Sequence, residues 1–369
     1  MSIQIHRRRS LAVPIFALGL LGLAPHPLHA EPGAIAPMGE TQTLHRRDQL
    51  PRKILVGTEI TGYDLIEKFS LEQRFKRMDD YVEAMELQAK LEYPGKRLDL
   101  VLLGEYFMAR GKEALSENAV RLEDVVPRIA ECARRHGCYM AVPMVLREDG
   151  PGERYSNAAL LMGRDGRVVG IYRKVHPTTD FKYELLEGGV TPGTTFPVFD
   201  CDFGRVGIQI CYDVCYPDGW EALAKEGAEL VLLPSETPVT ARPSMFALLH
   251  RYYIVSATPR NHSAVYNPLG MIEAEATQEG VLVHQIDLSY AIAGWDAGWD
   301  NGETLRKTFG DRIGFNYYFG EDCGIYWSND PKTSIGQMMR TFGYPEPTDD
   351  IERARLLQDK VRGGPPSLP

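Results

Sequence analysis

The feature of this sequence that most constrains its fold is an alternation of short apolar runs with longer amphipathic stretches. Residues 53–57 and 98–103 have the length and apolar composition of buried strands, and residues 71–91 between them carry apolar side chains at helical spacing. A helix predicted over 120–135 and a strand predicted over 138–145 continue the succession. Strands that alternate with helices are typical of α/β folds, so we expect helices packed against sheets.

The second half of the chain adds a two-stranded element before the alternation resumes. An Arg-Asp-Gly-Arg segment at 164–167 separates two apolar runs, and Asp-Gly in that position predicts a β-hairpin. A helix is predicted over 219–226 and a second hairpin over 263–287. The remaining strands are predicted over residues 158–163, 168–172, 206–211, 230–233 and 252–257.

Residues 51–290 are expected to form one large domain, because no repeat or low-complexity run divides them. After about Asp287 the pattern becomes irregular and rich in aromatic residues. We interpret residues 291–369 as a C-terminal extension that packs at a subunit interface, and we expect a homo-oligomer.

The N-terminal residues have the pattern of a secretory signal. Three arginines at 7–9 precede an apolar run over 11–24, and the next segment ends in Leu-His-Ala at residue 30. We therefore expect residues 1–30 to be a cleaved signal peptide, residues 31–50 to be an irregular lead-in, and the protein to be periplasmic or secreted. The apolar run is shorter than the roughly 20 residues that span a bilayer, so no stable membrane anchor is expected after cleavage.

Charge and cysteine content argue against several functions. The chain has 50 acidic and 41 basic residues and a net charge of -9, whereas nucleic-acid binding depends on clustered Lys and Arg. Its six cysteines are too few for a disulfide framework and lack the spacing of a zinc site. We expect no nucleic-acid partner, no metal and no cofactor.

The strongest local signal is the segment over 204–218, in which an apolar strand leads to Cys211 at a turn before a helix. The first N–H groups of a helix have no intrahelical acceptor, so a thiol there can be exposed and activated. A cysteine at the end of a buried strand is more often a packing residue, and this segment alone leaves both interpretations open.

Two further strand ends carry ionisable side chains. Lys174 lies in Gly-Ile-Tyr-Arg-Lys-Val-His-Pro after the first hairpin, and Glu105 follows the run Leu-Val-Leu-Leu-Gly. Groups at strand ends gather to form sites in α/β folds. Taken singly, Lys174 is also compatible with a solvated lysine and Glu105 with a helix-capping glutamate.

Glu105, Lys174 and Cys211, in this order and each at a strand end, closely resemble the motifs of the nitrilase, or carbon-nitrogen hydrolase, superfamily. The resemblance spans residues 52–288 and includes the connecting segments 155–176 and 227–235. It implies a four-layer α-β-β-α sandwich and a hydrolase that cleaves a small-molecule amide or N-carbamoyl amide through a cysteine thioester, releasing ammonia or an amine.

The resemblance also implies a role for each residue. Cys211 is the expected nucleophile, Glu105 takes its proton, and Lys174 stabilises the thiolate and the developing oxyanion. The backbone N–H of Tyr212 is the expected second oxyanion donor. A supporting glutamate is expected before the Pro-Gly pair at 192–193. Its spacing to that pair favours Glu187, with Glu184 as the alternative.

Alternatives remain within and outside the superfamily. Cys211 is followed by Tyr-Asp, as in the amidase and N-carbamoyl amidase branches, whereas true nitrilases tend to have Trp-Glu there; nitrile hydrolysis is the alternative activity. A non-catalytic binding or scaffold protein of the same fold is the other alternative. Gly104 replaces the Pro that usually precedes the glutamate, and residues 248–253 depart from the usual pattern near the pocket.

Overall fold

The structure, a computed structural model, describes residues 46–62, 69–110, 115–294, 300–341 and 347–366. The predicted signal peptide, residues 1–30, lies outside the described residues, as does most of the predicted lead-in. Where the chain is described, no helix combines the length and the apolar character needed to cross a bilayer.

Each predicted apolar run contains or overlaps a strand, and the structure adds strands that were not predicted. In chain order the strands are β1 (Lys53–Ile60), β2 (Leu100–Leu102), β3 (Tyr139–Arg147), β4 (Tyr155–Met162), β5 (Val168–Arg173), β6 (Thr179–Asp180), β7 (Leu185–Leu186), β8 (Val198–Cys201), β9 (Gly204–Ile208), β10 (Leu230–Pro234), β11 (Tyr253–Ala257), β12 (Ser263–Tyr266), β13 (Ile272–Ala276), β14 (Gly280–Asp287), β15 (Tyr290–Gly294), β16 (Ile313–Tyr318) and β17 (Cys323–Ser328).

The helices lie between strands or near the C-terminus. They are α1 (Leu71–Glu92), α2 (Leu115–Asn118), α3 (Leu122–His136), α4 (Pro217–Lys225), α5 (Ala241–His250), α6 (Glu303–Phe309), α7 (Ile335–Arg340) and α8 (Pro347–Arg362), with 3₁₀ turns at Cys211–Cys215, Asp300–Gly302 and Gly310–Arg312.

Local signals set the ends of the long helices. Ser70 caps α1: its hydroxyl accepts the N–H of Gln73, and the Gln73 side chain accepts the N–H of Ser70. Gly137 ends α3 with a φ of 64°, a left-handed conformation that glycine adopts without a Cβ penalty.

The first sheet has the strand order β14-β1-β2-β3-β4-β5. β1, β2 and β3 are parallel and are connected through α1 and α3, because parallel neighbours need a crossover. The predicted hairpin is confirmed: β4 and β5 pair antiparallel, and in their connecting turn Asp165 Oδ1 accepts the N–H of Arg167 at 3.0 Å.

The second sheet has the strand order β13-β12-β11-β10-β9-β8. Its centre, β9, β10 and β11, is parallel, with α4 and α5 as the crossovers. The other three strands add antiparallel edges. The predicted hairpin over 263–287 does not form as one element: β12 pairs with β13 in this sheet, whereas β14 pairs with β1 in the first.

Three apolar clusters define four layers. Leu100 and Leu102 point into the cluster between the sheets, whereas Val101 and Leu103 point into the cluster beneath α1 and α3. Both faces of β2 are buried, which explains its continuous apolar run. On the far side, Trp220 of α4 stacks on Phe246 of α5 at 4.6 Å between ring centroids. The expected α-β-β-α sandwich is confirmed.

Much of the described chain after residue 287, where the sequence pattern is irregular and no elements were predicted, forms regular secondary structure. There β15, β17 and β16 form a three-stranded antiparallel sheet, with a cluster of its own that includes Leu305 and Ile335. Gly314 and Gly324 interrupt the two last strands, so the alternation of apolar residues is too broken to be recognised in the sequence.

The end of the lead-in also packs against the sandwich. Arg46 is 3% exposed, and its guanidinium donates to the carbonyl of Ala228 and to the hydroxyl of Tyr290, each at 2.9 Å. Residues before β1 therefore form part of the packed structure.

Candidate active site

The expected site residues follow the ends of separate strands, and the structure brings their side chains together. Glu105 follows β2, Lys174 follows β5 and Cys211 follows β9. Glu236, which the sequence did not single out, follows β10. The ends of β2 and β5 in the first sheet therefore lie beside the ends of β9 and β10 in the second.

Glu105 lies at the centre of this group and is 4% exposed. Its Oε1 accepts hydrogen bonds from Lys174 Nζ at 2.9 Å and from Asn157 Nδ2 at 2.7 Å. Its Oε2 accepts the backbone N–H of Glu236 at 2.7 Å. Three donors hold one carboxylate, so its orientation is fixed before any ligand arrives.

Lys174 is held between two carboxylates. Its Nζ lies 2.9 Å from Glu105 Oε1 and 2.8 Å from Glu187 Oε2, and the side chain is almost fully buried. Burial alone would lower the pKa of Lys174, but the negative charges of Glu105 and Glu187 outweigh burial and raise that pKa above its ordinary value. The side chain is therefore a fixed positive charge at physiological pH.

Cys211 occupies a strained turn. Its φ is +45°, a left-handed conformation that is costly for a residue with a Cβ and that is often found at functional sites. Asp213 holds the turn by accepting the N–H of Ile210 at 2.8 Å. Tyr212 follows in the first turn of the 3₁₀ segment, where N–H groups lack an intrahelical acceptor.

The thiol of Cys211 is close enough to the side chains of Glu105, Lys174 and Ser235 for each of them to influence its ionisation. Burial raises the pKa of this thiol to about 12, and the negative charge of Glu105 adds to the increase, whereas Lys174 and the Ser235 hydrogen bond oppose it. At neutral pH the resting sulfur is therefore a thiol, with a carboxylate placed to accept its proton.

Glu187, and not Glu184, contacts the lysine. Its Oε2 accepts the N–H of Thr178 at 3.0 Å as well as Lys174, and its Oε1 accepts Asn157 Nδ2 at 2.6 Å and the Tyr106 hydroxyl. Glu184 is exposed on the same short hairpin.

Besides Glu236, the sequence interpretation missed two further residues of the site, Asn157 and Tyr106. Asn157 lies in the Tyr-Ser-Asn-Ala-Ala segment that contributed to the family resemblance, and Tyr106 directly follows Glu105. Both lacked a role because a single asparagine or tyrosine does not by its residue type mark a site in a sequence. The structure shows them as neutral donors to the buried carboxylates.

Asp213 connects the cysteine turn to the lysine loop. Its Oδ1 accepts the N–H of His176 at 2.9 Å and lies 3.0 Å from His176 Nδ1, and its Oδ2 accepts the Tyr172 hydroxyl at 2.7 Å. The His176 ring stacks on Tyr216 with 4.1 Å between centroids. His176 therefore supports the loop from behind the site and does not contact the thiol.

Gly104 explains one departure from the superfamily pattern. Its N–H donates to Glu59 Oε1 at 2.7 Å, and a proline at this position would have no hydrogen to donate. A buried carboxylate on the neighbouring strand β1 thus holds the turn that presents Glu105.

Comparison with known proteins agrees with this architecture. A sequence model described as carbon-nitrogen hydrolase matches residues 55–294. The chain is 27% identical over 224 residues to an omega-amidase NIT2 of Danio rerio, covering 54% of this chain and 80% of that protein. It is 30% identical over 183 residues to omega-amidase NIT2 of Homo sapiens, covering 44% of this chain and 66% of that protein.

Solved structures show the same fold. Nit3 of Saccharomyces cerevisiae, described as a member of branch 10 of the nitrilase superfamily, superposes with a TM-score of 0.52 at 22% identity, covering 71% of this chain and 96% of that chain. An amidase from Nesterenkonia sp. superposes with a TM-score of 0.51 at 19% identity, covering 63% and 90%.

The chain belongs to the carbon-nitrogen hydrolase family. The expected membership and the expected hydrolase class are confirmed. The matched range ends at the last residue of β15, so the other two strands of the C-terminal sheet lie outside it.

Proposed function

We propose that this protein hydrolyses the carbon-nitrogen bond of small-molecule amides, N-carbamoyl amides included, with Cys211, Glu105 and Lys174 as the catalytic residues. The observation that carries the proposal is the position of the Glu105 carboxylate, which accepts a hydrogen bond from Lys174 Nζ at 2.9 Å and lies close enough to the Cys211 thiol to influence its ionisation. The similarity to omega-amidases supports an amide as the substrate.

The first half of the reaction forms a thioester. Glu105 takes the proton of the Cys211 thiol as the sulfur attacks the amide carbon, and the carbonyl oxygen becomes an oxyanion. The Lys174 ammonium and the backbone N–H of Tyr212 stabilise this charge. When the tetrahedral intermediate collapses, the carbon-nitrogen bond breaks and Glu105 returns the proton to the leaving ammonia or amine.

The second half uses water. Glu105, again a carboxylate, takes a proton from a water molecule that attacks the thioester carbon. The resulting oxyanion uses the same two donors, and its collapse breaks the carbon-sulfur bond. The proton returns to Cys211, and the carboxylic acid product leaves. The enzyme regains its starting protonation state, so the two half-reactions balance in atoms and protons with water as the only co-reactant.

Glu187 is the positioning residue of this scheme. It accepts a hydrogen bond from Lys174 Nζ at 2.8 Å and shares Asn157 with Glu105. It keeps the lysine charge beside the carboxylate that exchanges protons with the sulfur.

The test is ammonia release by the full-length protein from aliphatic, aromatic and N-carbamoyl amides and from matched nitriles, beside Cys211→Ala. Cys215→Ala is the matched control, because Cys215 is an exposed thiol four residues away. We expect amide turnover that Cys211→Ala abolishes and Cys215→Ala retains. If the protein turned over only the nitriles, the proposed activity would have to be nitrile hydrolysis and not amide hydrolysis. If none of the compounds were turned over and Cys211 were alkylated slowly, with the pH dependence of an unactivated thiol, the scaffold alternative would be favoured.

We further propose that the protein is a homo-oligomer. In support, α5 exposes the apolar side chains of Met245, Leu248 and Leu249, and the C-terminal sheet exposes Phe319. Light scattering with size-exclusion chromatography tests this proposal. We expect a multimer that Leu248→Glu or Phe319→Glu weakens; a wild-type monomer would contradict it.

We also propose export, with residues 1–30 removed. The support is the basic and apolar pattern of the N-terminal sequence. Cell fractionation and N-terminal sequencing provide the measurement. We expect a mature N-terminus at Glu31 outside the cytoplasm, and an uncleaved cytoplasmic chain would contradict the proposal.

A further inference from the structure

Glu236 is an ionisable residue of the site that the reaction scheme does not use. Its backbone N–H donates to Glu105 Oε2 at 2.7 Å, which places it directly beside the reacting groups. Its carboxylate is close enough to Glu105, Lys174 and Arg74 for the charge of each to affect its pKa. The side chain therefore lies near the residues that the proposed reaction uses.

The Glu236 carboxylate is partly buried and has no hydrogen-bond or ion-pair partner among the residues that the structure describes. Burial raises the pKa of Glu236 to about 8; Glu105 adds to the increase, and Lys174 and Arg74 oppose it. A buried carboxylate without a partner is costly, and a cation that binds beside it removes that cost.

A second carboxyl group, that of Glu59, lies close enough to Glu236 to be affected by its charge. Glu59 is fully buried; its Oε1 accepts the N–H of Gly104, and its Oε2 has no hydrogen-bond partner in the described part of the chain. Burial raises the pKa of Glu59 to about 8, and the charge of Glu236 contributes to that increase. Two neighbouring acidic groups thus have acceptor atoms that the protein itself does not use.

The nearby cations are already engaged. Lys174 is held by Glu105 and Glu187. The Arg74 guanidinium donates to the backbone carbonyls of Phe69 at 3.0 Å and Phe107 at 2.8 Å. An anionic group on a substrate would compete with these contacts, whereas a cationic group would meet unused carboxylate oxygens.

We propose that Glu236 is a specificity-determining residue and that its carboxylate binds the ammonium or guanidinium group of a positively charged amide substrate. The inference rests on the proposed amide hydrolysis at Cys211. Charge-assisted hydrogen bonds from such a group fill the open acceptor sites of Glu236. Because a bound cation favours the ionised carboxylate, the preference for cationic substrates strengthens as pH rises through about 8.

The first experiment measures, without turnover, whether a cationic or an anionic reagent reaches Cys211 faster. Full-length protein carrying Cys215→Ser is treated with two methanethiosulfonates of similar size, one with a trimethylammonium group and one with a sulfonate, and modification of Cys211 is followed by mass spectrometry. We expect the cationic reagent to react at least about tenfold faster than the anionic one.

Glu236→Gln keeps the size and hydrogen-bonding capacity of the side chain but removes its charge, so the rate ratio should fall several-fold. Glu184→Gln is the matched control, because it removes one charge from an exposed glutamate outside the contact group. The inference would be overturned if the ratio of cationic to anionic reaction rates were the same in wild type and Glu236→Gln. It would also be overturned if Glu236→Gln and Glu184→Gln lowered that ratio equally.

The second experiment compares kcat/KM for three amides of equal length that end in an ammonium, a methyl or a carboxylate group. We expect the ammonium compound to be the best substrate. Glu236→Gln should lower its kcat/KM about tenfold more than that of the methyl compound, mainly through KM. Turnover of all three without a charge preference would overturn the specificity inference and leave amide hydrolysis standing. An unreactive Cys211 with no turnover would overturn the proposed function.

Discussion

Asn157 Nδ2 donates to Glu105 Oε1 at 2.7 Å and to Glu187 Oε1 at 2.6 Å, so a single neutral amide bridges the two carboxylates that hold Lys174. Two buried negative charges with only one ammonium between them would repel each other. The amide bridge satisfies one oxygen of each carboxylate without adding charge, and it fixes the distance between them.

Asn157→Ala should therefore impair both stability and catalysis. It removes two hydrogen bonds to charged groups, each worth roughly 1.5–3 kcal/mol, so we expect the free energy of unfolding to fall by about 3 kcal/mol. We also expect kcat to fall about tenfold or more, because Glu105 loses a fixed donor. Urea denaturation and steady-state kinetics provide the measurements. Asn329→Ala, at an exposed site, is the control; an unchanged kcat in Asn157→Ala would contradict the bridging role.

Glu105→Gln should separate thiol ionisation from turnover. Burial raises the pKa of the Cys211 thiol to about 12, and the negative charge of Glu105 is the next largest cause. Removing that charge while Lys174 remains should lower the pKa of Cys211, so the thiolate forms at lower pH than in wild type. Turnover should nevertheless fall by about 10²–10⁴, because the proton acceptor is gone.

The thiolate of the Glu105→Gln variant can be followed by its ultraviolet absorbance as a function of pH, with Cys211→Ala as the blank. A rise in the pKa of Cys211, or turnover close to wild type, would show that Glu105 does not exchange protons with the sulfur.

The two glutamates of the 179–187 segment offer a matched pair. Glu187→Gln removes one of the two carboxylates that hold Lys174 Nζ, so we expect kcat to fall about ten- to a hundredfold with a smaller change in KM. Glu184→Gln changes the same charge at an exposed position and should leave kcat unchanged. The opposite result would identify Glu184 as the supporting carboxylate.

The sequence could predict the layers and the three main site residues because both depend on local patterns. β2, β5 and β9 are apolar runs, and Glu105, Lys174 and Cys211 each follow such a run closely. In an α/β sandwich, strand ends meet, so residues at several strand ends can be placed together without knowing the contacts.

The rest of the site depends on contacts that no local pattern encodes. Asn157 reaches the carboxylates only because β4 pairs with β5 in one particular register, which places Ala158 opposite Arg173. Glu236 reaches Glu105 because β10 of one sheet ends beside β2 of the other. Such relationships between distant segments appear only when the sheets are assembled.

His176 should give stability a characteristic dependence on pH. Hydrogen bonding to Asp213 is the largest cause that raises the pKa of His176, and the charges of Asp213 and Asp218 add to it, while burial opposes it. Because the folded-state pKa is above the unfolded value near 6.5, the stabilisation is complete below about pH 6.5 and is lost as pH rises through the folded-state pKa. His176→Gln should therefore lower Tm most in mildly acidic solution and least in alkaline solution.

His250 is a matched control because its pKa is shifted in the opposite direction from that of His176. Burial lowers the pKa of His250, so its neutral form favours folding above about pH 6.5 and the protein loses that stability as pH falls through the lowered pKa. Thermal unfolding of wild type, His176→Gln and His250→Gln across this range should give differences in Tm that change with pH in opposite directions. If the Tm difference for His176→Gln were independent of pH, the ring would contribute through its stacking on Tyr216 and not through its charge.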